Sequence, residues 1–252
     1  MSGAALLEAL ELPEAALVGK RVPKTLLLEH GAATAADQRL INEGMEQLHW
    51  VAALKPNTVG VAAYCDGARE VVELAVLRLT LREGGKESRL IELVHRAVPY
   101  PVLLVGEGVQ GLSLSAAAKR WSRVEAGQTV LEGEVVGVAW DGAADAERWP
   151  AFLEALALGR QPRAHLWDLY QGWLDTLRAL QAARISGAFG LAPTAEQAAR
   201  RREALREWVS LERESRRLRT AAAKEKQLAR RVELNLALQK LEAARAAARA
   251  HL

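Results

Sequence analysis

His95 and Arg96 stand just before Pro99-Tyr100-Pro101, and Lys119 and Arg120 follow further along the chain. Brought together, an imidazole, two guanidiniums and an ammonium can hold a phosphate, the guanidiniums through paired N–H donors and the ammonium as a point charge. That chemistry needs proximity. Residues 87–97 read as a helix stopped by the two prolines, because a proline lacks the N–H and disfavours helix in the residue before it. Val102–Val105 and Leu112–Ala116 read as strands, and if they are neighbours the two basic pairs converge. The competing reading is helix capping plus surface charge, since cations suit the carbonyl end of a helix. Lys20 and Arg21, in a basic loop that ends at Pro23-Lys24, join these four as candidates for anion or partner binding.

Other chemistry is weaker. A metal-dependent nuclease needs several carboxylates and usually a lysine around a divalent ion. Asp66, Glu70 and Glu73 precede or enter an apolar run, but the run that follows, Leu79-Thr80-Leu81, supplies no Glu-x-Lys. Cys65 is the single cysteine, so no intrachain disulfide forms, and no local motif makes it a nucleophile. Gly84-Gly85 and Gly106-x-Gly108 read as turns, not as a phosphate-binding fingerprint. No residue is assigned to catalysis, metal or cofactor. Of the seven tryptophans, Trp149, Trp167 and Trp173 sit among Leu, Phe and Ala and read as core, with base stacking as the alternative.

Charge is unevenly distributed. Residues 195–252 carry 15 Lys+Arg against 8 Asp+Glu, whereas the whole chain of 252 residues is only +3. A basic helical tail on an acidic body points to a polyanion or an acidic protein. Arg200, Arg201, Arg202, Arg216, Arg217, Arg230 and Arg231 are the candidates for backbone contacts with nucleic acid. The competing reading is a solvated coiled coil with Glu–Arg pairs such as Glu212–Arg216.

The elements that position these groups follow from periodicity. Residues 3–11 read as a short helix, and Thr34 as the N-cap of a helix from Ala35 that continues to Trp50. Strands are expected at Trp50–Leu54, Val59–Tyr64, Glu70–Arg82, Val102–Val105, Val109–Ala116 and Glu132–Trp140, the third near-continuous in Val and Leu, as in a strand buried on both faces. Helices follow at 149–158 and 165–185. Thr194 with Gln197 forms a capping-box pattern. From there to Ala250 there is no Gly or Pro, which favours one continuous helix. Its apolar stripe changes phase near 224–231: Trp208, Leu211, Ser215, Leu218 and Ala222 form one register and Leu234, Leu238, Leu241 and Ala248 another, broken at Arg245. That phase change equally fits a stutter or a hairpin. The fold class is α/β (α+β): a mixed sheet body with crossing helices over residues 1–142, a helical segment packing on it over 143–192, and a basic coiled-coil arm over 193–252. No stretch reaches the ~20 apolar residues of a membrane span. The N-terminus lacks a signal-peptide pattern, and cysteine usage suits the cytoplasm.

Several segments together resemble the bacterial family designated domain of unknown function 4391. They are Leu17–Lys24, Trp50 before Leu54-Lys55-Pro56-Asn57-Thr58, His95–Val105, Leu114-Ser115-Ala116 with Lys119-Arg120, and Lys224–Gln227 through Arg231–Asn235. Members of that family tend to be encoded beside superfamily-two helicases and DNA methyltransferases in restriction or phage-defence loci. The resemblance therefore implies a non-enzymatic accessory subunit that docks on a helicase or methyltransferase, with homo-oligomerisation through the arm and non-specific DNA contact as further expectations. The alternative is a divergent metal-dependent nuclease using Asp66, Glu70 or Glu73.

Overall fold

The computed structural model describes residues 2–109, 111–125 and 127–252. In chain order the elements are α1 (Gly3–Ala9), β1 (Leu17–Val22), α2 (Lys24–His30), α3 (Ala35–Gly44), β2 (Met45–Leu54), α4 (Pro56–Val59), β3 (Tyr64–Cys65), β4 (Glu70–Val71), β5 (Leu74–Leu81) and α5 (Glu87–Ala97). They continue with β6 (Val102–Gly108), β7 (Gly111–Ala116), β8 (Lys119–Trp121), β9 (Thr129–Leu131), β10 (Val136–Ala139), α6 (Gly142–Asp145), α7 (Trp149–Leu156), α8 (Leu166–Ser186), α9 (Ala195–Lys224) and α10 (Leu228–Arg249). The fold is α+β. The chain divides into two compact units, residues 1–177 and 178–252, with the boundary inside α8.

The first unit is built on a six-stranded mixed sheet of order β1-β2-β5-β6-β7-β10. Neighbours run antiparallel except β5 and β6, which are parallel, with Ala75 opposite Val102 and Leu79 opposite Gly106. Parallel neighbours need a crossover, and α5 supplies it. One face of α5 carries Leu90, Leu93 and Val94 into a cluster with Leu48, Leu77, Leu79 and Leu104. Val76, Leu103, Val105 and Leu114 are also buried although their alternation aims them the other way, so the central strands are covered on both faces.

Part of the second cover comes from α7 and the first turns of α8, where Phe152, Tyr170 and Trp173 are fully buried. Of these three, the two with a polar atom each find a backbone partner. Trp173 Nε1 donates to Leu156 O at 2.9 Å. Tyr170 Oη accepts the Ala117 N–H at 2.8 Å and lies 2.8 Å from Val102 O and 3.0 Å from Ala117 O. One hydroxyl thus joins α8 to the start of β6 and the end of β7.

Several sequence expectations are corrected. Residues 18–24 are not a loop: β1 is the edge strand beside β2, with Arg21 opposite His49. Gly19, at φ +61°, sits in the irregular register between Leu17 and Lys20. A bulged edge carrying Lys20 and Arg21 discourages further strand addition. The helix from Ala35, capped by Thr34 as expected, stops at Gly44, and β2 begins at Met45. Aromatic and β-branched residues at Trp50-Val51 and pairing with β5 outweigh the helical reading of Met45–His49. Val59–Tyr64 is not one strand: α4 ends at Val59, an irregular segment follows, and only Tyr64 enters the short β3. Glu70–Arg82 splits into β4 and β5, and of Glu132–Trp140 only Val136–Ala139 pairs in the sheet. Gly106–Gly108 belongs to β6 instead of forming a turn.

In the second unit the long helix Ala195–Lys224 forms, with Thr194 accepting the Gln197 N–H at 3.2 Å. It does not continue. Glu225 and Gln227 are extended, and α10 returns antiparallel, so that Arg219 meets Glu242 at 3.0 Å and Glu212 meets Arg245 at 2.6 Å. The hairpin prevails over the single helix because each apolar stripe is too narrow to remain solvated alone, and folding back buries one on the other.

The Tyr170 bridge is testable. Tyr170→Phe leaves a buried N–H without its acceptor, at a cost of about 1–3 kcal/mol. Chemical denaturation is expected to show that loss with an unchanged m-value; a change under about 0.5 kcal/mol would show the bridge to be dispensable.

Candidate functional site

The basic residues singled out around α5 divide into two kinds. His95 and Lys119 converge; Arg96 and Arg120 do not. His95 leaves the last turn of α5 toward β7, is fully buried, and sets Nε2 3.0 Å from Ser115 Oγ. Its Nδ1 is buried without a hydrogen-bond partner among the described residues. Lys119, at the start of β8, is 5% exposed and donates from Nζ to Val98 O, just past the end of α5. A lysine there complements the carbonyl end of the helix. Burial, and then the Lys119 charge, push the His95 pKa down to about 3. Burial pushes the Lys119 ammonium down to about 7. The imidazole is thus neutral at physiological pH, and the ammonium is near its midpoint with no carboxylate paired to it among the described residues. Arg96 turns outward to Glu92 at 2.6 Å, and Arg120 donates to Trp121 O at 2.9 Å. Lys20 and Arg21 lie on the edge strand β1. The six candidates therefore do not share one surface pocket.

The three carboxylates do not gather at one site among the described residues. Glu73 is buried against Lys55 at 2.9 Å. Asp66 accepts the Ala68 and Arg69 N–H groups at 2.7 Å each, closing its own turn, and receives the Tyr64 hydroxyl at 2.9 Å. These hydrogen bonds, led by the one from Ala68, hold the Asp66 carboxyl below its ordinary range. Glu70 pairs in the short β3–β4 ribbon opposite Cys65, which is exposed. Among the described residues no three His, Cys, Asp or Glu side chains are grouped to hold a metal ion. Trp149 and Trp173 are core, as their neighbours imply. The Arg69 guanidinium covers the Trp167 ring at 4.2 Å.

The arginines of the arm sort by what they touch. Arg200 pairs with Glu196 at 2.7 Å, Arg216 with Glu212 at 2.9 Å, Arg217 with Glu214 at 2.6 Å and Arg230 with Glu225 at 3.9 Å. Arg201 donates to Gly190 O at 2.6 Å. Of the seven named from sequence, Arg231 is exposed and outside any ion pair among the described residues. The same holds for Arg206, Arg213, Lys224, Lys226, Lys240 and Arg249, which the clustering of adjacent arginines concealed. Part of this was signalled in the sequence: Arg200, Arg216 and Arg217 have a glutamate three or four residues earlier and Arg213 and Lys224 do not, whereas Arg206 has Glu203 three residues earlier and is outside any ion pair among the described residues.

Position makes some of these free cations a set. The seam of α9 holds Ser215 and Ala222 buried, with Trp208, Leu211 and Leu218 half-buried beside them. Arg206, Arg213 and Lys224 lie on the opposite face, separated by seven and eleven residues, close to whole turns. They form a cationic ridge of about 27 Å at ~1.5 Å per residue. Residues 178–252 carry 17 Lys+Arg against 8 Asp+Glu, and residues 1–177 carry 17 against 23. Arg245, the break in the second apolar stripe, lies in the seam, with its guanidinium over the Trp208 ring at 5.1 Å and paired with Glu212. A cleft of about 380 Å³ opens beside it, lined by Arg184, Trp208, Glu242, Arg245 and Arg249.

The buried lysine makes stability depend on pH. The folded state releases the Lys119 proton near pH 7 and the unfolded chain near the ordinary lysine value of 10.5. Between those values the unfolded state binds more protons, so this group makes stability rise with pH; below pH 7 its cost is fully present. His95 acts in the same direction between about 3 and 6.5. The difference in unfolding free energy between wild type and Lys119→Met is expected to change by a few kcal/mol between pH 7 and 10, with the wild type gaining. Parallel pH profiles would show that Lys119 is solvated.

No curated protein and no solved structure shows detectable similarity to this chain. One family model matches, over residues 10–244, which takes in both the sheet and most of the helical hairpin. The chain belongs to the family described as domain of unknown function (DUF4391).

Proposed function

We propose that this protein is a non-enzymatic accessory subunit of a bacterial restriction or phage-defence system, acting in the cytoplasm. It docks on a helicase or methyltransferase of that system and touches DNA through its helical hairpin. The observation that carries the DNA contact is the ridge of Arg206, Arg213 and Lys224, exposed on the face of α9 away from the seam and outside any ion pair among the described residues. Such a row attracts phosphates without reading bases, because long flexible cations on a straight helix outside any groove-reading motif supply charge and no donor pattern. The separation of charge between the units supports the same reading: the basic unit meets the polyanion and the acidic unit is kept from it.

Affinity for duplex DNA should be indifferent to sequence and fall with salt. Neutralising about four phosphates gives a log–log slope of about −3.6. Changing Arg206, Arg213 and Lys224 to Gln is expected to flatten the slope by about 3, at roughly one unit for each contact, with helicity retained. The matched change of Arg200, Arg216 and Arg217, whose charges are locally paired, is expected to flatten it by less. Fluorescence anisotropy from low to physiological salt measures both. Absence of binding at low salt, or an equal effect from the two triple variants, would overturn the assignment of the ridge.

A further inference from the structure

We propose that the outer face of α10 is a self-association surface, on which a second copy of this chain docks antiparallel. The two faces of α10 differ in what covers them. Leu234, Leu238 and Leu241 are half-buried and Ala248 is buried in the seam with α9. On the opposite side Leu228, Val232 and Leu236 recur every fourth residue and stand 68%, 50% and 53% exposed. Ala243 and Ala247 carry this stripe toward the C-terminus and are exposed as well. Helices with two apolar faces occur where both are covered.

The chemistry of the stripe selects its occupant. Its first half is large (Leu228, Val232, Leu236) and its second half small (Ala243, Ala247). Two copies packed in parallel would set leucine beside leucine and alanine beside alanine, leaving a gap along the alanine half. An antiparallel pair with its two-fold axis level with Leu236-Ala237 brings Leu228 of each copy between Ala243 and Ala247 of the other. Large then faces small toward both ends of the contact, as close packing requires, and the two Leu236 side chains meet at the axis. The same axis settles the charges. Glu233 and Lys240 lie on one flank of the stripe, seven residues apart, and neither enters an ion pair within its own chain among the described residues. Across the two-fold, Glu233 of each copy comes level with Lys240 of the other, making two symmetry-related pairs. A surface that is complementary to itself in both shape and charge is what a two-fold homodimer needs. This inference rests on α10 and is independent of the DNA contact assigned to α9.

The test uses the full chain without nucleic acid. Sedimentation velocity is expected to show a dimer that Val232→Glu converts to monomer, while circular dichroism shows the helical content kept. Glu233→Lys and Lys240→Glu should each raise the dissociation constant by roughly tenfold, since like charges replace two pairs, and the double exchange should restore it. Leu236→Cys in a Cys65→Ser background should form an intermolecular disulfide on mild oxidation, as the two-fold axis sets the two positions together. A wild-type monomer at ~100 µM, far above the dissociation constant of a specific interface, would overturn the proposal. So would a dimer indifferent to Val232→Glu, or a double exchange no better than its parents. Should Val232→Glu lose helicity, the charge exchange and the cross-link decide instead.

Discussion

Burial of β5 from both sides is the constraint on which the first unit depends. Leu74, Ala75, Val76, Leu77 and Leu79 are each at most 1% exposed. Fully burying one large aliphatic side chain stabilises by about 1.5–3 kcal/mol, so this strand alone repays several kcal/mol of chain ordering, provided that both faces are covered. That condition organises the rest. It requires α5 to cross over one face on its way to the parallel strand β6, and helical cover on the other. The polar groups trapped by this cover are the ones that must find backbone partners: the Tyr170 hydroxyl, the Trp173 indole, and the Lys119 ammonium past the end of α5.

His95 and Lys119 illustrate how a sequence motif that reads as a binding site can become part of the frame. Both are polar, both lie near a helix end and a strand end, and the structure does bring them together. It does so inside the protein, where the imidazole is neutral and hydrogen-bonded to Ser115 and the ammonium closes on Val98 O. A charge buried without a carboxylate costs stability, and here the cost is reduced by shifting the lysine pKa toward neutrality. The arginines beside them, exposed Arg96 and half-buried Arg120, are held by Glu92 and by the Trp121 carbonyl.

In the hairpin the division of labour is by helix face. The inner faces hold the seam, in which Arg245 replaces an apolar residue and is accommodated by the Trp208 ring and Glu212. The outer face of α9 is cationic and the outer face of α10 apolar, so the two exposed surfaces suit different partners. Local Glu–Arg pairs at three- or four-residue spacing remove Arg200, Arg216 and Arg217 from the set of available cations. Formal charge in the sequence therefore overstates what the arm can offer a polyanion.

The sequence by itself determined the elements whose periodicity is long or whose ends carry strong signals. The buried Val- and Leu-rich run of β5, the helix bounded by Lys86 and Pro99, the Thr34 and Thr194 caps and the family resemblance were all legible, because each rests on spacing within one segment. The stripe phases at Trp208–Ala222 and Leu234–Ala248 were legible too. Only the tertiary structure decided what those phases do. A continuous helix and a hairpin have the same local propensities where no Gly or Pro intervenes, and the choice turns on which arrangement buries both stripes. Tertiary pairing likewise made Leu17–Val22 an edge strand, against a local reading of loop, and extended the expected strand at Trp50–Leu54 back to Met45, against a local reading of helix, because a strand's stability lies in the strand beside it. The candidate sites changed most for the same reason. Whether a cation is buried, paired or free depends on groups far away in sequence, so residue type named the chemistry and three-dimensional packing chose which side chains remain available to perform it.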